Sequence, residues 1–377
     1  MSIEIVTVSS KRQLRRFIKF NYELYKESPF AVPDFRYDMF NIFTPQKNPA
    51  YEFCDVQLFL AKRGGKIVGR VAAIINNKAN KIWNTNKVRF GWIDFIDDKE
   101  VSTALINAVS TWGVERGMSE IEGPFGFTDF DPEGMLIEGF DQSGTMSTNY
   151  NYSYYSEHLE HLGFVESAKW VEWLIPFRDI PEKMSRISEL VISRYNLSLA
   201  NFEQGKKKEA KKYAKKLFEL VNESYSGLYG YSPFSDKQID DFVRRYLMLI
   251  NKKLVIIILN QEKEPVAAGL VIPSMSEALR KAKGRLFPFG WFHLIKAIWF
   301  NRTKVVDLMF IAIKPSYQNK GLNAVMFNQL IPVAREMGFQ YAESNPELES
   351  NFKMQAHWDY FPGSRVHKRR VAYLKAL

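Results

Sequence analysis

The hydrophobic pattern changes period several times along the first half of the chain. Alternating residues predict strands, and apolar residues three and four positions apart predict helices. Arg63-Gly64-Gly65-Lys66 between two apolar runs predicts a hairpin. The predicted order is strand, helix, hairpin, strand, helix, strand, helix, strand, and the clearest spans are 3–8, 11–26, 56–62, 67–76, 88–96, 101–116, 120–123 and 170–176.

The second half predicts a similar series of elements. Its spans are a strand at 195–202, helices at 206–222 and 235–251, a hairpin of 254–259 and 266–272, a strand at 305–313 and a helix from 322. Three pairs of residues in matching elements lie 200 positions apart: Gly69 with Gly269, Asn151 with Asn351, and Trp173 with Tyr373. A constant offset with a shared element order indicates duplication. We therefore predict two α+β domains, at 1–178 and 195–377, joined by a helical linker at 179–194.

One stretch in the second half has the pattern of an anion-binding turn. The apolar strand 305–313 ends before Pro315, and Gln318–Asn323 then leads into a helix. Such a turn directs free backbone N–H groups and the positive end of the helix dipole at one point, which suits a phosphate or pyrophosphate. The alternative is an ordinary strand-to-helix turn.

This stretch resembles the acyl-CoA-binding motif of the GNAT superfamily of N-acyltransferases, written Gln/Arg-x-x-Gly-x-Gly/Ala. Gln318 and Gly321 match, whereas Asn323 replaces the final Gly/Ala. The resemblance implies tandem GNAT-like domains, each with a mixed central sheet flanked by helices. It also implies that acetyl-CoA or another acyl-CoA binds as a substrate. The implied binding residues are Phe310, Ile311, Ala312, Ile313, Gln318, Asn319, Lys320, Gly321, Leu322 and Asn323.

The corresponding turn in the first half has a different composition. It reads Asp97-Asp98-Lys99-Glu100, without glycine and with three carboxylates that would repel a pyrophosphate. We therefore expect a degenerate cofactor loop there, and one acyl-CoA site per chain.

The resemblance also implies where catalysis would occur. A backbone N–H within 310–313 would stabilise the oxyanion, and Glu343 is the preferred base. Glu347 and Glu349 are weaker candidates because carboxylates at a helix start are ordinarily stabilising. The family usually places a tyrosine seven residues after the Asn of its last helix, but that position is Trp358 here, so Tyr360 is the substitute acid.

Composition and charge narrow the classes of partner. The net charge of +10 favours anionic partners without choosing among CoA phosphates, nucleic acid and anionic lipid. The lysine run 206–216 fits a solvated helix face better than a nucleic-acid site, so no nucleic-acid partner is expected. The single cysteine, Cys54, excludes an internal disulfide framework and a cysteine-based zinc cluster, and no metal is predicted. Without a secretory signal or a spanning segment, we expect a cytoplasmic protein.

Two segments distinguish the halves. The insertion 274–303 is basic and then aromatic over 279–300, which leaves three interpretations: a helix packed between the domains, a lid over a hydrophobic channel, or peripheral contact with a membrane. Loop 125–142 predicts a solvated acidic loop or, alternatively, an amine-binding wall; its carboxylates are Asp129, Asp131, Glu133, Glu138 and Asp141.

The resulting functional hypothesis is an acyl-CoA-dependent N-acyltransferase, in the first instance an N-acetyltransferase, acting on a small-molecule amine. The alternatives are a non-catalytic acyl-CoA-binding or scaffold protein and a Fem-like aminoacyl transferase. The sequence leaves the acceptor, the acyl length and the oligomeric state open.

Overall fold

The structure is a computed structural model that describes residues 2–200, 207–246, 250–300 and 303–377. The strands are β1 Glu4–Thr7, β2 Cys54–Arg63, β3 Lys66–Asn76, β4 Lys87–Phe95, β5 Glu120–Gly123, β6 Met135–Glu138, β7 Val165–Pro176, β8 Ser198–Leu199, β9 Val255–Leu259, β10 Pro265–Pro273, β11 Val305–Ile313, β12 Tyr341–Ser344, β13 Glu347–Leu348 and β14 Arg365–Ala376. The helices are α1 Lys11–Leu24, α2 Arg36–Ile42, α3 Asn77–Trp83, α4 Lys99–Val114, α5 Tyr154–His161, α6 Glu182–Arg194, α7 Lys207–Tyr225, α8 Asp236–Tyr246, α9 Ser276–Ala282, α10 Gly290–Trp299, α11 Leu322–Glu336 and α12 Phe352–Gln355.

The two halves share one strand arrangement. Strands β2, β3 and β4 pair antiparallel and β4 pairs parallel with β5; strands β9, β10, β11 and β12 repeat that order. Gly69 and Gly269 occupy equivalent places in this repeat, because a Cβ at Gly69 would meet Leu105 of α4 and one at Gly269 would contact Met326 of α11. Each glycine therefore lets the helix that connects the parallel strands pack closely on the sheet.

The last strand of each half lies in the sheet of the other. β14, from the C-terminus, pairs with β5 of the first half, and β7, from the first half, pairs with β12 of the second. β7 and β14 also pair with each other, so the described strands form one continuous mixed sheet of 14 strands. The sequence predicts the closing strands but not this exchange.

The predicted turn of the first hairpin is confirmed, because Gly64 and Gly65 have positive φ there. Ser10 caps α1 through a capping box with Gln13. The predicted strand 195–202 is only two residues long in the described part of the chain, and residues 201–206 lie outside that part.

Loop 125–142 is not uniformly solvated as predicted. It contains β6, and Asp129 accepts a hydrogen bond of 3.0 Å from the Ser232 N–H of the second half. Phe130 packs edge-on against Phe234 at 4.6 Å between ring centres. Burial raises the pKa of Asp129 to about 6. The loop therefore packs between the halves, and its role as an amine-binding wall stays a prediction.

Candidate active site

The parallel pair β11–β12 opens part-way along its length. The two strands pair from Val305–Tyr341 to Leu308–Ser344, where β12 ends and β11 continues. Opposite β10, the register shifts so that Met309 is an extra, bulged residue, and Asn345 donates a hydrogen bond of 2.9 Å to the Met309 carbonyl. In the described sheet, residues 310–313 therefore have no strand neighbour on the β12 side. We call this opening the splay cleft.

The loop after β11 presents free donors at one end of the splay cleft. Gln318 closes the loop by donating to the Ile313 carbonyl at 3.2 Å. Asn319 and Gly321 have φ of 60° and 83°. Among the described residues, none accepts a hydrogen bond from the backbone N–H groups of 319–323, which lead into α11. Together with the helix dipole, these donors have the arrangement that suits an anion.

Gly321 allows this turn to pack against helix α6. A Cβ at position 321 would lie 3.0 Å from Val191 and 3.3 Å from Ile187, both on α6. Its left-handed φ also disfavours any residue with a side chain. Position 321 therefore requires glycine for both packing and backbone conformation.

The side chains of the loop are held in place. Lys320 lies over the rings of Tyr195 and Tyr317, with its ammonium about 5 Å from both centres. Asn323 donates from Nδ2 to His357 Nε2 at 2.8 Å, and His357 Nδ1 in turn donates to the Lys353 carbonyl. Asn323, the departure from the expected motif, thus joins α11 to the segment after α12.

A buried carboxylate, that of Glu347, lies on β13, just after the end of β12. Burial raises the pKa of Glu347 to about 7, even though the indole N–H of Trp358 donates to both of its oxygens at 3.2 Å and favours the ionised form. Glu347 is close enough to Tyr225 to raise the pKa of that phenol further, and the Tyr225 hydroxyl donates to the Ile311 carbonyl at 3.0 Å. Glu347 therefore lies beside the unpaired part of β11 with the pKa of a general base.

Glu343 lies in a different environment, inside a buried ionic cluster. Its carboxylate is 2.5 Å from Lys368 Nζ, and Lys368 is also 2.6 Å from Glu172. Arg370 pairs with the other oxygen of Glu172 at 2.5 Å. Lys368 and Arg370 are fully buried, so neither side chain is available to contact the phosphates of CoA.

Asp307 belongs to the same cluster, opposite Glu343 across the strands. It is almost wholly buried. Burial, and then the neighbouring Glu343, raise the pKa of Asp307 far above its usual range. The neutral form of Asp307 is therefore favoured, which limits the negative charge of the cluster.

The structure separates the two predicted catalytic side chains. Glu343 is in the ionic cluster, whereas Tyr360 is 40% exposed, with the Lys183 ammonium 5.9 Å from its ring centre. The contact that sequence reasoning missed is the one between Trp358 and Glu347. The signal was present, because Trp358 occupies the position where the family motif has a tyrosine.

The equivalent opening in the first half is filled by its own residues. Asp98 accepts a hydrogen bond from the Glu100 N–H at the start of α4 and pairs with Arg63 at 2.5 Å. The Tyr155 hydroxyl accepts from the Phe95 N–H at 3.1 Å, and the two rings stack at 4.2 Å. The acidic turn thus caps its helix with a carboxylate, which supports the prediction of one cofactor site per chain.

A large groove runs between segment 37–52 of the first half and helices α7 and α8 of the second. It encloses about 1830 Å³, and its floor includes Leu217, Val243 and Val255. An ion pair between Lys237 and Glu52 joins its walls. Val255 and Phe310 belong to the same apolar clusters. The groove floor is therefore continuous with the strand that borders the splay cleft.

No helix among the described residues is both long and apolar enough to cross a membrane. The same residues contain no group of three or more His, Cys, Asp or Glu side chains able to hold a metal ion.

A solved tandem GNAT protein from the clavulanic acid biosynthesis pathway superposes on this chain with a TM-score of 0.58, covering 100% of this chain and 98% of that one at 11% identity. This chain has the tandem GNAT fold. No family model matches the sequence. The resemblance seen in the turn 318–323 is thus confirmed at the level of the fold, as is the mixed-sheet α+β class.

Two curated proteins are similar in sequence to this tandem GNAT chain. A protein named bacterial ceramide synthase, from Caulobacter vibrioides, is 26% identical over 100% of this chain and 98% of its own length. Protein YghO of Escherichia coli is 26% identical over 88% of this chain and 83% of its own length.

Proposed function

We propose that this chain is an acyl-CoA-dependent N-acyltransferase with a single acyl-CoA site at the splay cleft. The observation that carries the proposal is that the unpaired N–H groups of 319–323 and the Glu347 carboxylate border the same segment, β11. The turn would bind the pyrophosphate, and residues 310–313 would lie along the pantetheine arm. The fold agrees with this assignment.

Glu347 is our proposed general base. Attack of the acceptor nitrogen on the thioester carbonyl forms the C–N bond and breaks the C–S bond, while Glu347 accepts the proton that the nitrogen loses. A backbone N–H within 310–313 would stabilise the oxyanion. We prefer Glu347 to Glu343 because the Glu343 carboxylate is paired with Lys368 inside the buried ionic cluster. A catalytic role of Glu343, like the acid role of Tyr360, stays a prediction.

We further propose that the acceptor is the amine of a long-chain amino alcohol. Two observations support this proposal. The chain is similar over its whole length to a protein named ceramide synthase, and ceramide is the N-acyl derivative of such an amine. The groove of about 1830 Å³, with an apolar floor that leads to Phe310, has room for an alkyl chain.

Thiol release from acyl-CoA tests this function. The purified chain is supplied with acetyl-CoA or palmitoyl-CoA and with sphinganine, ethanolamine or aminoacyl-tRNA. We expect release of free CoA and formation of an amide with sphinganine. Release with ethanolamine alone would contradict the proposed acceptor, aminoacyl transfer from tRNA would support a Fem-like enzyme, and binding of acyl-CoA without turnover would support a scaffold.

Matched variants identify the base. Glu347→Gln should lower kcat by about 100-fold or more, as expected for loss of a general base. Glu349→Gln is the control, because Glu349 is a neighbouring carboxylate paired with Arg369. A Glu343→Gln variant that lost turnover while retaining its fold and its acyl-CoA binding, together with a Glu347→Gln variant that stayed active, would favour Glu343 instead.

A further inference from the structure

The second-half insertion has two parts with different surroundings. Helix α9 packs between the halves: Leu279 is buried, and Arg280 donates to the Pro29 carbonyl and to Ser143. The backbone N–H of Arg36 also donates to the Gly284 carbonyl at 3.0 Å. This part agrees with the interpretation of a helix packed between domains. The following segment, which ends in α10, does not agree with that interpretation.

Helix α10 has one buried and one exposed apolar face. Leu294, Ala297 and Ile298 are buried against α9 and β10. The opposite face and the segment before it carry a group of exposed large apolar residues, which we call the aromatic patch: Phe287, Phe289, Trp291, Phe292, Ile295 and Phe300. Phe287 and Phe289 are 78% and 74% exposed. A contiguous exposed patch of this kind marks an interaction site.

The charges within the segment that carries the aromatic patch are of one sign. Residues 279–300 contain five Lys and Arg residues and no Asp or Glu. Lys283 and Arg285 are exposed, and Lys296 lies over the ring of Phe292 at 4.2 Å. Aromatic residues with a basic rim are the composition of segments that lie in the interface of an anionic membrane.

A second copy of the chain fits this patch poorly. A two-fold contact would place the patch of one copy on the patch of the other and bring the two basic rims together. Like charges in such a contact repel, whereas an anionic surface neutralises them. At ten residues, α10 is also too short to cross a bilayer.

We propose that the aromatic patch docks this protein onto the surface of an anionic lipid membrane, with α10 lying in the interface. Phe287 and Phe289 would insert among the acyl chains while Lys283 and Arg285 meet the headgroups. The buried side of α10 belongs to the cluster that contains Met309 and Phe310, so docking would bring a membrane surface close to β11. The docking itself does not depend on the proposed reaction.

Vesicle co-sedimentation of the full chain tests the proposal, without acyl-CoA or acceptor present. The vesicles are pure phosphatidylcholine or equal parts phosphatidylcholine and phosphatidylglycerol. We expect binding to the anionic vesicles that weakens as salt is added. Phe287→Ser with Phe289→Ser should weaken this binding by about tenfold or more.

Two further variants separate docking from general effects. Phe352→Ser removes a phenylalanine that is 73% exposed elsewhere on the surface, and it should leave vesicle binding unchanged. Lys283→Glu with Arg285→Glu should weaken binding to anionic vesicles only. Equal binding by all variants, no binding to anionic vesicles, or a lipid-free dimer that the double Phe variant dissociates would overturn the proposal.

Discussion

The indole N–H of Trp358 donates to both carboxylate oxygens of Glu347 at 3.2 Å. The position seven residues after Asn351, where the family motif has a tyrosine, therefore supports a carboxylate in this chain instead of supplying a proton. Burial raises the pKa of Glu347 to about 7, and the hydrogen bond from Trp358 limits that rise. This contact gives the proposed base a pKa close to the pH at which it would act.

The first prediction concerns the pH dependence of turnover. The rate at low substrate should rise with pH to a plateau as Glu347 loses its proton, with a midpoint of about 7. Trp358→Phe removes a hydrogen bond to the ionised form, so the midpoint should move to higher pH. A general loss of stability would lower the plateau rate without moving the midpoint of the pH–rate curve. An unmoved midpoint would therefore contradict this role of Trp358.

The second prediction compares two glycines at the ends of α11. Gly321 and Gly338 both have positive φ, of 83° and 90°, but a Cβ meets Val191 at position 321 and nothing within 4 Å at position 338. Gly321→Ala should weaken acyl-CoA binding by at least about tenfold because the turn must shift. Gly338→Ala has similar backbone strain and should bind acyl-CoA normally in calorimetry. Equal losses of acyl-CoA affinity in both variants would indicate that the substitutions only destabilise the fold.

The third prediction uses the buried Asp307. Because burial and the neighbouring Glu343 raise the pKa of Asp307 in the folded chain, the folded state keeps a proton that the unfolded chain releases above about pH 4. Stability should therefore fall as pH rises above about 4. Asp307→Asn removes this loss of stability. The free energy of unfolding of the variant should therefore exceed that of the original chain by about 1–3 kcal/mol near pH 9 and by less near pH 5.

Urea unfolding at the two pH values measures this difference. Asp359→Asn is a control, because Asp359 is an exposed aspartate in the second half. The same gain at both pH values, or a loss near pH 9, would show that Asp307 is ionised in the folded chain.

The fourth prediction follows from the exchanged strands. Val371 belongs to β14 at the C-terminus, yet it is buried in the core formed by α4 and β3 of the first half. Val371→Ala should lower the stability of the whole chain by about 1–3 kcal/mol and leave one unfolding transition, because neither half has its full sheet without the other. Differential scanning calorimetry that resolved two transitions, only one of them shifted, would contradict this coupling.

The sequence predicted the repeated elements well because each depends on local signals. The Gly64–Gly65 turn and the apolar run of β11 both lie within short windows. The pairing of β14 with β5 joins residues more than 200 positions apart, and either partner strand satisfies the same hydrophobic pattern. Strand exchange therefore has no signature in periodicity.

Only the part of the site that depends on local signals was predicted from the sequence. The turn 318–323 follows from glycine and a strand–helix boundary, which are local. The choice between Glu343 and Glu347 depends on what surrounds each carboxylate: Lys368 from the exchanged β14 in one case and Trp358 in the other. Both lie on a polar segment with similar sequence context, so sequence alone could not distinguish them.

Calorimetric titration of the full chain with acetyl-CoA and with palmitoyl-CoA shows whether the chain has its single acyl-CoA site. We expect saturable binding of an acyl-CoA with one site per chain, and loss of that binding in Gly321→Ala but not in Gly338→Ala. Two sites per chain would show that the first-half cleft, despite Tyr155 and Asp98, also binds the ligand. No binding of either acyl-CoA at millimolar concentration would contradict the account.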